Sequence, residues 1–126
     1  WIGFFDGGVV EFKDGRIRAA YASANGLGEG RVNSLHVDRE GTIWAATEGG
    51  LSRMRDGRVA TLTTKSGLPC NTVHWAIEDD VGSMWLNTEC GLLRVAWSDI
   101  EAWVADGRRS ITTTADAVTG DSAASY

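Results

Sequence analysis

The sequence predicts an all-β protein built from short antiparallel strands. Three observations support this prediction: the 126 residues include 16 glycines, they include six tryptophans, and one segment recurs later in the chain. Glycines at this frequency indicate many tight turns, and tryptophans that follow apolar neighbours are typical of strand interiors. The recurring segment indicates how the strands are arranged.

The internal repeat has a spacing of 41 residues. Residues 32–44 align with residues 73–85, so that Trp44 matches Trp85. The same offset aligns further pairs: Gly26 with Gly67, Asp38 with Asp79, Gly41 with Gly82, Thr47 with Thr88, and Gly50 with Gly91. Repeats of about 40 to 45 residues that are made of short strands are typical of β-propeller blades.

Each repeat unit is expected to form a blade of four antiparallel strands. Residues 1–22 are a partial blade, residues 32–63 a full blade and residues 73–114 a second full blade. The predicted strands of the full blades are residues 32–37, 43–47, 50–55 and 58–63, then 73–78, 84–88 and 91–96, with a last strand at 110–114. Because propellers close with about four to eight blades, about three blades predict an incomplete ring.

The last blade is interrupted by a predicted helical insertion at residues 98–106. Ser98 and Glu101 have the spacing of a capping box, and Gly107 can end the helix. Three apolar side chains fall on one face of this helix: Ile100, Trp103 and Val104. Residues 115–126 are expected to form a loop or a frayed tail, since they are small and polar.

The charge and composition of the chain exclude several function classes. A net charge of −5 and a pI near 4.9 leave no basic stripe, so no nucleic-acid partner is expected. No apolar run approaches the roughly 18 residues of a membrane span, so we expect no direct membrane contact. The two histidines and two cysteines lack the spacing of a metal motif, and no cofactor is predicted.

Candidate binding residues lie in loops on one face of the predicted blades. The loop between the second and third strands and the loop between blades both emerge on this face. The candidates are Arg31, Asn33, Glu48, Asn71, His74 and Glu89. A polar rim of this composition can bind a sugar or another polar ligand, although polar side chains are also ordinary in turns. Trp44 and Trp85 are interpreted as packing residues between blades.

No catalytic site is predicted, and the chain is not expected to be an enzyme. Ser34, His36 and Asp38 have the residue types of a hydrolase triad, but alternate residues of one strand point in parallel and cannot form the relay. The acidic run at residues 78–80 is interpreted as a solvated turn and not as a calcium site.

The repeated motif resembles the two-component regulator propeller repeat. It reads Val-x-Ser-Leu-x-x-Asp-x-x-Gly-x-Ile-Trp from Val32, followed by Thr-Glu-Gly-Gly-Leu and Gly-Leu-Pro, and it departs from the family at Asn87 and Cys90. The resemblance covers nearly the whole chain. It implies a ligand-sensing domain in the periplasmic or extracellular part of a membrane-anchored bacterial regulator, often with an oligosaccharide as the signal.

The location that the resemblance implies bears on the two cysteines. Cys70 and Cys90 lie in loops that are predicted on the same face of one blade. One interpretation is a disulfide, which an exported protein can retain, and the other is a pair of unpaired, partly buried thiols.

Two other functions stay open at this point. The chain could belong to a propeller enzyme that acts on polysaccharide, such as a lyase or a glycosidase, which needs an acid/base pair near the ring axis. It could also be a structural scaffold for protein partners. In each case an incomplete ring exposes apolar faces and sheet edges, so self-association is expected.

Overall fold

The computed structural model describes residues 2–3, 7–105 and 113–115, which form three antiparallel sheets and one α-helix. The first sheet contains β1 (Ile2–Gly3), β2 (Val9–Lys13) and β3 (Arg16–Tyr21). The second contains β4 (Val32–Val37), β5 (Ile43–Thr47), β6 (Gly50–Arg55) and β7 (Arg58–Leu62). The third contains β8 (Val73–Glu78), β9 (Ser83–Thr88), β10 (Gly91–Ala96) and β11 (Thr113–Ala115), with α1 (Trp97–Ala105) between β10 and β11. We call these sheets the first, second and third blades.

Each blade is a meander in which neighbours in sequence are neighbours in the sheet. All strand pairs are antiparallel. The prediction of four-stranded propeller blades with one short helical insertion is therefore confirmed. Within the described part of the chain, the three sheets do not close into a ring.

The bounds of a few elements differ slightly from the expected ones. Strand β7 ends at Leu62, and β9 begins at Ser83. The helix begins at Trp97, one residue earlier than expected, where the Trp97 amide donates to the Gly82 carbonyl at 2.8 Å. The last strand, predicted at residues 110–114, is described at Thr113–Ala115, so Ala115 belongs to the strand and not to the predicted tail. The predicted helix end at Gly107, residues 110–112 of the predicted strand and the remaining tail, residues 116–126, lie outside the described residues.

The hairpin between β6 and β7 shows why the sequence turns where it does. Asp56 and Gly57 have φ angles of 53° and 76°, and Arg55 pairs with Arg58 across the turn. A two-residue turn with positive φ at both positions matches the twist of the flanking strands, and Asp-Gly is a favoured sequence for it. Asp14 and Gly15 repeat these angles in the first blade at 54° and 76°.

Strand β5 is buried on both faces because it lies in the middle blade. Ile43 and Ala45 pack in a cluster with residues of the first blade, while Trp44 and Ala46 pack in a cluster with residues of the third blade. This alternation follows from the period of two along a strand. The core of the protein therefore consists of two apolar seams between successive blades.

Helix α1 joins the third blade to the second. Ile100 and Trp103 are buried in the cluster that also contains Trp44, and the Trp97 ring meets the Trp44 ring edge-on at 6.1 Å between centroids. Val104, which the sequence placed on the same helix face as Ile100 and Trp103, is 42% exposed and lines a small cavity beside the helix. The interpretation of Trp44 as a packing residue agrees with its exposure of 1%.

Candidate ligand-binding rim

The turn between the first two strands of a blade is held by one aspartate. Asp38 Oδ1 accepts hydrogen bonds from the backbone amides of Glu40 at 2.9 Å and Thr42 at 3.0 Å. Asp38 Oδ2 accepts a hydrogen bond from Trp44 Nε1 at 2.9 Å. One carboxylate therefore shapes the turn and also fixes the tryptophan that fills the seam between blades.

The third blade repeats this arrangement with Asp79. Its carboxylate accepts from the amides of Val81 and Ser83, both at 2.9 Å, and from Trp85 Nε1 at 2.8 Å. The Trp85 hydrogen bond lowers the pKa of Asp79 below its ordinary value of 3.8, with further contributions from the Ser83 and Val81 amides and from the charge of Arg94. The aspartate of the repeated motif is thus a structural acceptor in both blades.

A buried threonine holds the turn between the second and third strands, which lies at the rim. Thr47 Oγ1 donates to the Gly50 carbonyl at 2.9 Å and accepts from the Gly49 amide at 3.1 Å. Thr88 makes the equivalent bonds to Gly91 at 2.9 Å and Cys90 at 3.1 Å. Both turns therefore have the same conformation, which places Glu48 and Glu89 at equivalent positions.

A chain of hydrogen bonds connects three of the predicted rim residues. The Arg31 amide donates to Glu48 Oε1 at 2.9 Å, and the Glu48 amide donates to the Arg31 carbonyl at 3.1 Å. Thr72 Oγ1 donates to the Glu48 carbonyl at 3.0 Å, and the Thr72 carbonyl accepts from the Glu89 amide at 3.2 Å. The structure thus brings Arg31, Glu48 and Glu89 onto one line across the boundary between the second and third blades.

Asn33 and His74 occupy equivalent β-bulges near the start of the first strand of each blade. The Asn33 amide group donates to the Val73 carbonyl at 2.8 Å, so it ties the second blade to the third. His74 is exposed at the corresponding bulge of the third blade. A β-bulge changes the direction in which side chains point, which explains why these two residues depart from the regular alternation of their strands.

Asn71 lies in the second inter-blade loop, residues 63–72, and helps to shape it. Its Oδ1 accepts from the Thr64 amide at 2.8 Å across a short 3₁₀ turn, Thr64–Ser66. An equivalent 3₁₀ turn, Ser23–Asn25, occurs in the first inter-blade loop, residues 22–31. Asn71 therefore has a structural role in its loop. It is also the one of the six predicted rim residues that lines the cleft between the two inter-blade loops.

The cleft between the two inter-blade loops has a volume of about 440 Å³. We call it the rim cleft. Its exposed side chains include a carboxylate, an ammonium group, hydroxyl groups and an amide, from Glu29, Lys65, Ser23, Thr64 and Asn71. Glycines 26, 28 and 49 leave part of its wall to backbone atoms. The cleft can therefore offer hydrogen-bond donors and acceptors to a polar ligand without a large net charge.

Cys70 and Cys90 form a disulfide in the structure. Their Cα atoms are 6.1 Å apart, which lies within the usual range of about 4.4–6.8 Å. The bond connects the second inter-blade loop to the turn between β9 and β10. The sequence left open a disulfide or two unpaired thiols, and the structure has the disulfide.

The other residues weighed in the sequence have separate structural partners. His36 Nε2 lies 3.3 Å from Glu78 Oε1 of the neighbouring blade, whereas Asp38 bonds Trp44 on its own blade. The Arg39 amide also donates to Glu78 Oε1, at 3.2 Å, and the Arg39 guanidinium pairs with Asp80. The described residues contain no group of three or more His, Cys, Asp or Glu side chains that could hold a metal ion.

Several structural residues of the rim were not identified from the sequence. Thr47 and Thr88 match at the 41-residue offset, but the sequence does not show that one hydroxyl bonds two backbone groups. Thr72, which joins Glu48 to Glu89, aligns with Arg31 and so carries no repeat signal. The recurrence of Thr at the end of the second strand of each blade is the sequence signal that could have indicated the role of Thr47 and Thr88.

Comparison with known protein families gives a match to part of the chain. Residues 26–49 match the family model described as "Two component regulator propeller". The matched segment runs from the first inter-blade loop through β4 and β5 to the turn that carries Glu48. No curated protein matches the chain at significant similarity. Among the described residues, no helix has the length and apolar character needed to cross a membrane.

Proposed function

We propose that this chain, whose repeat is that of the two component regulator propeller family, is a sensing module that binds a polar ligand at its rim and catalyses no reaction. The rim cleft is the observation that carries the proposal. It is formed by loops that the repeat supplies twice, and its exposed side chains are polar.

The chemistry of the rim cleft suits an uncharged, hydroxyl-rich ligand. Glu29 and Lys65 contribute opposite charges, so the cleft favours neither an anion nor a cation strongly. Hydroxyl groups of a sugar both donate and accept hydrogen bonds, as the side chains of Ser23, Thr64 and Asn71 do. An oligosaccharide is also the class of signal that the family resemblance implies.

Thermal-shift measurements against a panel of neutral and acidic oligosaccharides test the proposal. A ligand whose free concentration is about one hundred times its dissociation constant stabilises the folded state by about 2.7 kcal/mol, which is easily detected. We expect at least one neutral oligosaccharide to stabilise the wild-type protein and to lose most of this effect with Lys65→Ala. Lys13→Ala, which removes an exposed lysine of the β2–β3 hairpin that does not line the cleft, is the matched control. No stabilisation by any member of the panel would contradict the proposal.

The absence of catalysis needs a separate measurement. A stabilising oligosaccharide should be recovered intact after prolonged incubation with the protein, as judged by mass spectrometry of the glycan. New reducing or unsaturated ends would instead favour a polysaccharide hydrolase or lyase, which is the rival function.

We propose that the chain acts in the periplasm or outside the cell, as part of a regulator that transmits the binding signal. The Cys70–Cys90 disulfide supports this location, because disulfides persist in oxidising compartments and are rare in the cytosol. In cells that make the natural protein, a protease added to intact spheroplasts should digest it. Protection of the protein in intact spheroplasts would contradict the location.

The third blade supports a proposal of self-association or packing against a further blade. Trp44 of the second blade is 1% exposed because the third blade and α1 cover it, whereas the equivalent Trp85 is half-buried. Ile77 and Val81 of the third blade are 48% and 85% exposed. Apolar surface of this kind is typical of interaction sites.

A further inference from the structure

We infer that the Cys70–Cys90 disulfide is a reducible clasp of the rim. In this proposal, reduction by a dithiol releases the loop that carries Asn71 from the turn that carries Glu89. Because Asn71 lines the rim cleft, release of its loop also changes the ligand site, and this consequence rests on the proposed function. The release of the loop itself can be measured without a ligand.

The second blade shows what normally holds this loop against this turn. Glu29 and Gly49 occupy the positions that Cys70 and Cys90 occupy in the third blade, 41 residues later. A Cβ atom on Gly49 would overlap the Glu29 backbone, at 2.9 Å from its carbonyl oxygen and 3.2 Å from its Cα. The loop of the second blade therefore lies directly on the turn, and glycine is required for that contact.

The third blade cannot use the same contact because a side chain stands where the glycine would be. Cys90 follows Glu89 in the turn, and its Cα lies 6.1 Å from the Cα of Cys70. A covalent bond thus replaces the backbone packing of the second blade. The departure of Cys90 from the glycine of the repeat is explained by its bond to Cys70.

The disulfide is accessible to a small reductant. Cys90 is exposed and Cys70 is half-buried. A dithiol donates two electrons and two protons, the sulfur–sulfur bond breaks into two thiols, and the dithiol becomes a disulfide. After reduction, two hydrogen bonds still hold these segments: the Thr64 amide donates to Asn71 Oδ1, and the Glu89 amide donates to the Thr72 carbonyl. All four residues are at least partly exposed.

Hydrogen exchange on the whole chain tests the clasp. We expect amide exchange at residues 67–72 and 89–91 to rise about tenfold or more when dithiothreitol reduces the protein, because the opening of the loop no longer breaks a covalent link. The equivalent segments of the second blade, residues 26–31 and 48–50, contain no cysteine and should not respond. They are an internal control in the same molecule.

Two double variants separate the covalent link from other effects of reductant. Cys70→Ser with Cys90→Ser removes the link, and exchange of the loop should be fast with and without dithiothreitol. Cys70→Glu with Cys90→Gly recreates the pair of the second blade, and exchange should be slow in both conditions.

Two results would overturn the clasp. The first is an unchanged exchange rate in the third blade after complete reduction. The second is a pair of free thiols, found by alkylation and mass spectrometry, in protein that was folded in an oxidising compartment. If the clasp responds as expected but no oligosaccharide binds, the proposed function fails and the clasp stands, so the two failures are distinguishable.

Discussion

The replacement of Asp38 by asparagine tests the role of the aspartate in the repeated motif. The carboxylate of Asp38 accepts three hydrogen bonds, two from backbone amides and one from Trp44 Nε1. Asparagine has nearly the same shape but offers one acceptor oxygen and one donor nitrogen. In either orientation of the amide, a donor must face a donor: the Trp44 indole N–H in one case, and the Thr42 and Glu40 amides in the other.

The expected loss of stability follows from the burial of these groups. Asp38 is 6% exposed, Thr42 is 2% exposed and Trp44 is 1% exposed, so water cannot readily replace a lost partner. An unsatisfied buried donor costs about 1–3 kcal/mol, and we expect Asp38→Asn to destabilise the protein by this amount. At about 4 °C per kcal/mol for a domain of this size, the melting temperature should fall by roughly 4–12 °C.

Differential scanning calorimetry of three proteins measures the effect. Asp79→Asn is the matched control, since it makes the same change at the equivalent position of the third blade, where Asp79 and Trp85 are half-buried and water can reach the freed groups. We expect the melting temperature to fall further for Asp38→Asn than for Asp79→Asn. Equal melting temperatures for wild type and Asp38→Asn would contradict this role, because the carboxylate would then contribute nothing that an amide cannot.

Four further predictions concern other features of the fold. Since the pKa of Asp79 is lowered in the folded state, its carboxylate stabilises the fold at pH values above its ordinary pKa of 3.8, and this contribution is lost as the pH falls through the folded pKa. The difference in melting temperature between wild type and Asp79→Asn should therefore be constant from neutral pH down to about pH 5 and shrink below about pH 4. A difference that grows in acid would contradict this. Thr47→Val keeps the shape but removes both rim-turn hydrogen bonds, and urea unfolding should show a loss of about 1–2 kcal/mol; an unchanged midpoint would argue against the role of the hydroxyl. Gly50→Ala places a Cβ against the Leu62 carbonyl at a φ of 141°, so it should lower stability by about 3 kcal/mol or more in the same assay, and wild-type stability would be inconsistent with this geometry. Ile77→Glu should reduce self-association in sedimentation velocity without changing the far-UV circular dichroism spectrum of the fold, and an unaltered sedimentation profile of an associating protein would exclude this face as the contact.

The blade architecture could be predicted because the repeat carries it twice. Strands β4, β5 and β6 begin and end where the 41-residue alignment places them, and Asp56-Gly57 has the positive φ angles that its sequence favours. A pattern that recurs at one offset reports local structure directly, since both copies must satisfy the same turns and the same seams.

The candidate site could be predicted only in part, because it depends on contacts between repeats. The sequence placed Arg31 and Glu48 on one face, but their reciprocal hydrogen bonds and the link through Thr72 cross from one element to another. Lys65 and Glu29, which line the rim cleft, have no motif that distinguishes them from ordinary loop residues. Such residues are found only when the loops are placed beside each other in three dimensions.

The position at which an oligosaccharide binds distinguishes the rim cleft from every other surface of the blades. The measurement is a titration of the isotopically labelled protein with the best oligosaccharide of the panel, followed by the amide signals in two-dimensional NMR spectra. We expect saturable shifts that are largest for residues lining the rim cleft, among them Ser23, Lys65 and Asn71. Shifts confined to the opposite end of the blades, around the Asp38 and Asp79 turns, would contradict it.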